Sequence, residues 1–268
     1  MGDLITIKAV PLVWHRMFLG AIFVLIYIVY NKGKLKVSFR SLLKFAFVGL
    51  LIALHWLAFF SAVKVSNVSI TLAMMSTGAF FASLLEPFIY KRKIISYEVF
   101  FGVIVIIGLY IIFKVESEYL SGILLALLAS FLGALFSIFN GMLIKNHNAS
   151  VISFYELLFG VICISIYIFF TDGFSLSFFN LSSSDWTYLI ILASICTAYA
   201  FIASVHVLKW ISPYTMMLTT NLEPVYGILL ALLILGEKEY MSPTFYLGAI
   251  IILITVIANG IIKTRKKD

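Results

Sequence analysis

Nine long apolar stretches make up most of this chain, and they limit its fold more than any other feature. They run approximately from Leu12 to Tyr30, Leu43 to Val63, Val68 to Tyr90, Tyr97 to Phe113, Ser121 to Ile144, Val151 to Phe170, Trp186 to Leu208, Tyr214 to Leu235 and Thr244 to Ile262. A hydrocarbon core roughly 30 Å thick needs about 20 apolar residues of helix, because unpaired backbone groups are too costly in lipid. The sequence therefore predicts an all-α, polytopic transmembrane helix bundle of nine spans within the lipid bilayer.

The composition excludes a water-soluble globular domain. The chain has 268 residues, of which 63% are hydrophobic and 12% charged, and its mean hydropathy is +1.11. A soluble domain of this size could not carry so much apolar surface. Cys163 and Cys196 lie in apolar stretches without metal-ligand or redox spacing, so we interpret both as buried thiols. We expect no metal and no other cofactor.

The basic residues indicate the direction of the spans. Assigning alternate loops to one side places 14 of the 19 basic residues together, and these are Lys32, Lys34, Lys36, Arg40, Lys44, Lys91, Arg92, Lys93, Lys145, Lys209, Lys263, Arg265, Lys266 and Lys267. The positive-inside rule makes this side cytoplasmic. The C-terminus is therefore predicted inside and Met1 outside, in the plasma (inner) membrane. Since topology accounts for the net charge of +7, we expect no nucleic-acid partner.

Two parts of the chain resemble each other. Residues 65–72 match residues 211–218 at an offset of 146, and the same offset places Gly102 on Gly248. Self-similarity at a fixed spacing indicates an internal repeat.

The offset becomes 140 near the first span, where Arg16 aligns with Glu156 and Gly20 with Gly160. Equivalent helices are five spans apart, which is an odd number, so the two copies must cross the membrane in opposite directions. This is the inverted-repeat architecture of many secondary transporters.

The repeats are predicted to divide the chain into residues 1–115, with four helices, and residues 116–268, with five. The leading helix of the second repeat, Ser121 to Ile144, has no counterpart before Met1. Two interpretations remain, a truncated five-plus-five protein or a protein that works with nine helices.

Several short motifs suggest a family. They are the matched starts of spans three and eight, Leu222, Glu223 and Pro224 in span eight, Gly236 and Glu237 at its end, and Gly248 in the last span. With these motifs in this order, the chain resembles the drug/metabolite transporter superfamily, of the EamA-like type with ten helices. The resemblance implies export or exchange of small metabolites, amino acids or drugs, without ATP hydrolysis by the chain itself. The absent first helix departs from the family pattern.

Ionisable residues within spans are the first candidates for a functional site. Each costs roughly 2.5 to 3.5 kcal/mol on insertion scales, so each needs a partner or a hydrated cavity. Glu223 lies near the middle of its span and precedes Pro224, which frees a carbonyl, so Glu223 is the first candidate for a substrate or proton site. A structural carboxylate is the alternative. Arg16 and Glu156 are candidates for a gating or charge pair, with snorkelling as the alternative.

Uncharged polar and aromatic residues at membrane depth could also bind substrate. The candidates are His55, Trp56, Ser76, Thr77, Asn140, Tyr155, Tyr199, Thr219, Thr220 and Asn221. Ordinary helix contacts are the alternative for each of them. Glu86 lies about one turn from Lys91 and Lys93, so we interpret it as part of an interfacial salt bridge.

The leading hypothesis is a secondary transporter in which two repeats move about a midplane cavity, driven by a proton or counter-substrate. The first alternative is a structural or accessory membrane subunit. The second is an intramembrane enzyme, which the sequence disfavours because no Gly-x-Ser-x-Gly motif, no His-Glu-x-x-His motif and no intramembrane aspartate pair occurs. We therefore expect no enzymatic activity.

Overall fold

In a computed structural model, the structure describes residues 5–91, 93, 96–171 and 173–265, and the regular secondary structure of these residues is helical. The α-helices of this part are α1 (Ala9–Tyr30), α2 (Phe39–Val65), α3 (Val68–Met75), α4 (Gly78–Ile89), α5 (Ser96–Val115), α6 (Leu120–Leu143), α7 (Ala149–Phe170), α8 (Leu176–Phe179), α9 (Ser183–Ala193), α10 (Ala200–Val207), α11 (Pro213–Thr220), α12 (Leu222–Leu235) and α13 (Pro243–Arg265). Met1, Arg92, Lys266 and Lys267, which enter the charge prediction, lie outside the described residues.

The predicted polytopic helical bundle is confirmed. Eight helical segments of the described chain are long and apolar enough to cross a membrane, judged by length and composition. The fourth predicted span corresponds to α5, whose apolar part, Phe100–Lys114, is shorter. Helix α8 lies in the connection after α7, between the sixth and seventh predicted spans.

Three spans that the sequence predicted as continuous helices are interrupted. The third span breaks at Ser76 and Thr77, between α3 and α4, and the eighth breaks at Asn221, between α11 and α12. At the offset of 146, these two breaks fall within two residues of each other. The seventh span continues from α9 into α10 through a π-helix at Ser194–Tyr199.

The chain forms two compact units. The first unit contains Met1–Phe60 and Phe139–Trp210, and the second contains Ser61–Ile138 and Ile211–Asp268. Each unit takes helices from both halves of the sequence, so the units differ from the predicted repeats. The division into repeats stays a prediction.

In the first unit, α1 packs antiparallel against α7. The Met17 side chain packs against Gly160, and the Leu157 side chain packs against Gly20. The offset of 140 aligns Met17 with Leu157 and Gly20 with Gly160. The contact of Met17 with Gly160 is therefore the counterpart of the contact of Leu157 with Gly20. The absence of side chains at both glycines allows this close approach.

In the second unit, α5 and α13 form a similar antiparallel contact. A Cβ atom on Gly248 would lie 3.0 Å from the Gly108 carbonyl oxygen and 2.7 Å from Ile112, while one on Gly108 would lie 2.7 Å from Ile252. This reciprocal contact pairs Gly108 with Gly248 at an offset of 140, whereas the sequence alignment paired Gly248 with Gly102. The pairing of Gly102 with Gly248 as repeat equivalents stays a prediction.

Two buried carboxylates cap the helices that begin the interrupted spans of the second unit. Glu239 accepts hydrogen bonds from the backbone N–H groups of Val68, at 3.1 Å, and Ser69, at 2.8 Å. Glu86 accepts one from the backbone N–H of Tyr214, at 2.7 Å. The first N–H groups of a helix lack intrahelical partners and carry partial positive charge, so a carboxylate stabilises them.

These caps show how the two interrupted spans run. Glu86 lies near the end of α4 and contacts the start of α11, while Glu239 follows α12 and contacts the start of α3. The spans are therefore antiparallel. Residues 65–72 and 211–218 lie at opposite ends of this pair, as inverted repeats require.

We expect Glu239→Gln to lower the stability of the protein. The neutral amide loses the charge that stabilises two buried N–H groups, a change that costs about 1–3 kcal/mol when hydrogen bonds to a charged group are weakened. Glu237→Gln is the matched control, because Glu237 lies two residues away and is exposed. Thermal unfolding of the purified proteins in detergent measures the difference. Equal melting temperatures for the two variants would contradict the capping role.

Candidate functional site

A buried arginine forms the best-defined polar centre of the first unit. Arg16, on α1, is 9% exposed, and its guanidinium lies 4.1 Å from the centre of the Trp56 ring and 5.4 Å from that of Phe60. Its Nε donates a hydrogen bond to the Thr197 hydroxyl at 2.7 Å, and its Nη2 donates to the Cys196 carbonyl at 3.2 Å. Aromatic faces and hydrogen bonds thus both hold the cation in place.

The π-helix explains how Thr197 reaches Arg16. The Thr197 hydroxyl donates to the Leu192 carbonyl, five residues earlier, at 2.8 Å. The same hydroxyl accepts the hydrogen bond from Arg16. Single π-turns within α-helices occur often at functional sites. The sequence analysis missed Thr197, because a threonine in an apolar span carries no signal for a π-turn.

A fixed guanidinium at this depth is suited to bind an anion. Arginine presents its donors in a planar arrangement that matches carboxylate and phosphate oxygens. The predicted candidates Arg16 and Trp56 therefore lie together in one cluster, which Phe60 and Thr197 complete.

A second polar centre in the first unit joins α6 and α7. Glu156 is fully buried, and its Oε2 accepts a hydrogen bond from Asn140 Nδ2 at 3.2 Å. Glu156 Oε1 and Asn140 Oδ1 are also buried and have no hydrogen-bond partner among the described residues. An orphaned buried polar atom costs about 1–3 kcal/mol. Such atoms in a native fold call for an explanation, such as an ion, a water or a ligand.

Close helix packing surrounds this carboxyl. A Cβ atom on Gly49 of α2 would lie only 2.5 Å from the Glu156 carbonyl oxygen. The glycine thus allows α2 to pack directly against the α7 backbone beside the Asn140–Glu156 pair. The sequence analysis selected both members of this pair, but it did not predict that they contact each other.

The other candidates of the first unit make different contacts. Tyr155 donates a hydrogen bond to the Leu35 carbonyl at 2.8 Å, so it lies towards the connection between α1 and α2. The buried His55 stacks on Phe59 with ring centres 6.5 Å apart. Tyr199 is 73% exposed. A role of these three residues in substrate binding stays a proposal.

In the second unit, polar candidates lie at the helix break of the third span. The Ser76 hydroxyl donates to the Ala73 carbonyl at 2.6 Å, and the Thr77 hydroxyl donates to the Met74 carbonyl at 2.7 Å. Ser130 of α6 donates to the Met75 carbonyl at 3.2 Å. These hydroxyls give the carbonyls around the break hydrogen bonds that lipid could not provide.

The polar groups at the break of the eighth span are less completely hydrogen-bonded. The Thr219 and Thr220 hydroxyls donate to carbonyls of their own helix. Asn221 is 3% exposed, and its Nδ2 has no hydrogen-bond partner in the described part of the chain. Glu223 lies in the first turn of α12 and is exposed, whereas Pro224 is buried. The break therefore presents a buried amide donor close in sequence to an exposed carboxylate.

Two further residues had a sequence interpretation. Glu86 accepts the backbone hydrogen bond that caps α11, and its interfacial salt bridge stays a prediction. Cys163 is half-buried and Cys196 is exposed, so the prediction of two buried thiols is wrong for Cys196. The lipid-facing side of a helix is as apolar as its packed side, so sequence alone did not separate them.

The fold and these polar centres define a polytopic membrane protein with buried charged side chains inside its helices. A comparison with protein families matches the EamA-like transporter family over residues 4–114 and 120–260, so the chain belongs to that family. This confirms the predicted resemblance and identifies a membrane transporter of the drug/metabolite type.

Two other comparisons bear on the chain. A solved crystal structure of a protein is similar in fold, with a TM-score of 0.69 and 12% sequence identity, covering 98% of this chain and 91% of the other. At this identity the similarity concerns the fold alone. A comparison with curated proteins gives no match.

We expect Arg16→Lys to destabilise the protein even though the charge is kept. Lysine lacks the Nε donor that binds Thr197 and the planar group that lies over Trp56, and a hydrogen bond involving a charged group contributes about 1.5–3 kcal/mol. Arg40→Lys, at an exposed position of α2, is the control. Thermal unfolding in detergent should show a fall of several degrees for Arg16→Lys alone. A fall of the same size in both variants would argue against the described geometry.

Proposed function

We propose that this chain is a secondary-active transporter that exports or exchanges small metabolites, amino acids or drugs by alternating access. Its membership of a transporter family supports transport in general. The observation that carries the proposal is the presence of two ionisable residues, Arg16 and Glu156, buried within the helices of one unit. Ionisable groups at membrane depth are costly and usually mark substrate or ion pathways.

The two buried residues have complementary properties. Arg16 is a fixed cation between aromatic rings, whereas Glu156 is a carboxyl with one orphaned oxygen. In our proposal, Arg16 attracts an anionic group of the substrate or screens charge at a gate. Glu156 occupies the equivalent position on the matching helix and acts together with Arg16. The reciprocal packing of α1 against α7 supports this correspondence.

The second unit contributes the coupling residue in our proposal. Glu223 follows a helix break, and Asn221 lies two residues earlier with a buried, unpartnered amide nitrogen. Broken transmembrane helices often bind substrates and coupling ions, because the free ends of their half-helices carry partial charges. We propose that Glu223 binds the coupling proton or the substrate, with Thr219, Thr220 and Asn221 beside it. Ser76 and Thr77 occupy the matching break.

The orientation and the repeats belong to the same proposal. We place the C-terminus in the cytoplasm of a cell whose plasma membrane holds the protein, because basic residues concentrate on that side. Residues 1–115 and 116–268 are the proposed inverted repeats. The antiparallel contacts of α1 with α7 and of α5 with α13 support their opposite directions.

A thermal-shift screen of amino acids and small amphipathic drugs can find a substrate, because a ligand that binds the native state raises its apparent melting temperature. With such a compound, we expect Glu223→Gln to abolish the dependence of uptake on a pH gradient in proteoliposomes. The amide cannot carry a proton. Radiolabelled uptake with and without the gradient measures the effect.

Glu118→Gln is the matched control, since Glu118 is exposed in the short turn before α6. Glu156→Gln provides a second test of the coupling residue. If uptake by Glu223→Gln keeps its pH dependence and uptake by Glu156→Gln loses it, the coupling role passes to Glu156. If no compound in the screen is bound or transported, an accessory membrane subunit becomes the better hypothesis.

A further inference from the structure

A basic cavity of about 550 Å³ opens at one end of the first unit. Lys34 and Lys36 line it from the connection between α1 and α2, Lys145 from the end of α6, and Lys209 from the end of α10. All four lysines are exposed, and none of the described residues that line the cavity is acidic. The cavity therefore attracts an anion.

The lysines provide the charge of this cavity. His147 also lines it and accepts or donates a hydrogen bond with the Ser41 hydroxyl at 3.1 Å. Burial, and next the nearby Lys44 ammonium, lower the pKa of the His147 imidazole. The imidazole is thus mainly neutral at pH 7 and provides a hydrogen-bonding group rather than a charge.

An apolar groove of about 470 Å³ continues from the basic cavity along α2 and α6. Leu43, Phe47 and Met142 line the groove and are 56%, 48% and 42% exposed. Asn146 and His147 line both the groove and the cavity, so the two spaces adjoin. A polar anion site therefore leads directly into an apolar channel on the surface of transmembrane helices.

This combination matches the two parts of one molecule. A free phosphate would occupy the cavity but would leave the groove unused, and a neutral lipid would leave four ammonium groups unpaired. Basic pockets at the ends of transmembrane helices are suited to anionic lipid head groups. We propose that Lys34, Lys36, Lys145 and Lys209 bind the phosphate of an anionic phospholipid whose acyl chain lies in the α2–α6 groove.

The position in the chain agrees with the proposal. Lys145 and Lys209 each follow the end of an apolar helix by two residues, which is where head groups meet a transmembrane helix. Arg40 and Lys44, on the first turns of α2, also line the groove. Long basic side chains at such positions extend towards the lipid phosphates. This site does not depend on the proposed transport cycle.

The test uses the full chain, purified and stripped of lipid in a neutral detergent. We expect dioleoyl phosphatidylglycerol to raise the apparent melting temperature by about 5 °C at saturation, because it binds the native state. Dioleoyl phosphatidylcholine, with the same chains, tests the role of charge. Glycerol 3-phosphate and inorganic phosphate test whether the anion alone is sufficient.

Charge variants locate the site. Lys145→Gln with Lys209→Gln should reduce the stabilisation by phosphatidylglycerol to less than half, whereas Lys64→Gln with Lys114→Gln removes the same charge elsewhere and should not. Met142→Trp fills the groove and should weaken binding of the lipid while leaving the lysines unchanged. Native mass spectrometry counts the retained lipid directly, so the result does not depend on the stability of any variant.

Each alternative outcome overturns the proposal in a distinct way. Equal stabilisation by phosphatidylcholine would show a groove without head-group selectivity. Equal stabilisation by glycerol 3-phosphate or inorganic phosphate would show a site for a free anion only. Equal losses in the two lysine double variants would show a general effect of net charge rather than a bound lipid.

Discussion

Backbone hydrogen bonding in lipid is the constraint on which this structure depends. Three spans depart from a regular α-helix, and each departure frees polar groups that the bilayer cannot satisfy. Side-chain hydroxyls form hydrogen bonds at two of these departures: Ser76 at the α3–α4 break and Thr197 at the π-helix. Buried carboxylates cap the starts of α3 and α11, at the ends of two of these spans. Irregular helices and buried polar side chains therefore occur together in these spans.

Close contact between glycines is the second requirement, and it links the fold to the internal symmetry. Lipid does not drive apolar helices together, so association in a membrane relies on close packing. Gly20 and Gly160 in one unit, and Gly108 and Gly248 in the other, allow helix pairs to approach with reciprocal contacts. A substitution at one glycine of a pair affects the same crossing as a substitution at the other.

The sequence predicted the helices well, because length and hydropathy alone determine which segments can span a bilayer. Most predicted boundaries lie within four residues of those observed. The breaks at Ser76 and Asn221 were not predicted, although polar residues surround both and Pro224 follows Asn221 by three residues. Each break lies within an apolar stretch long enough for one continuous span, so length and hydropathy alone gave no boundary there. The Glu239 cap was also missed, because a carboxylate 170 residues away from Ser69 gives no local signal.

The functional candidates show the same limit. From the sequence, Trp56 and Asn140 were separate candidates at membrane depth, and Arg16 and Glu156 were a candidate gating or charge pair. In the structure the Arg16 guanidinium lies over Trp56, and Glu156 accepts a hydrogen bond from Asn140. Glu223 was the first candidate because of its central position, but burial separates the two glutamates: Glu223 is exposed and Glu156 is not.

That difference has a physical consequence for the proposed mechanism. In our proposal Glu223 faces a hydrated pathway, where a carboxylate exchanges its proton readily. A buried carboxyl with an orphaned oxygen is instead held at the expense of stability and gains from any partner that satisfies it. If both act in transport, Glu223 is therefore suited to load and release a proton, and Glu156 to respond to a ligand or proton that completes its hydrogen bonds. This separation of roles does not depend on the identity of the substrate.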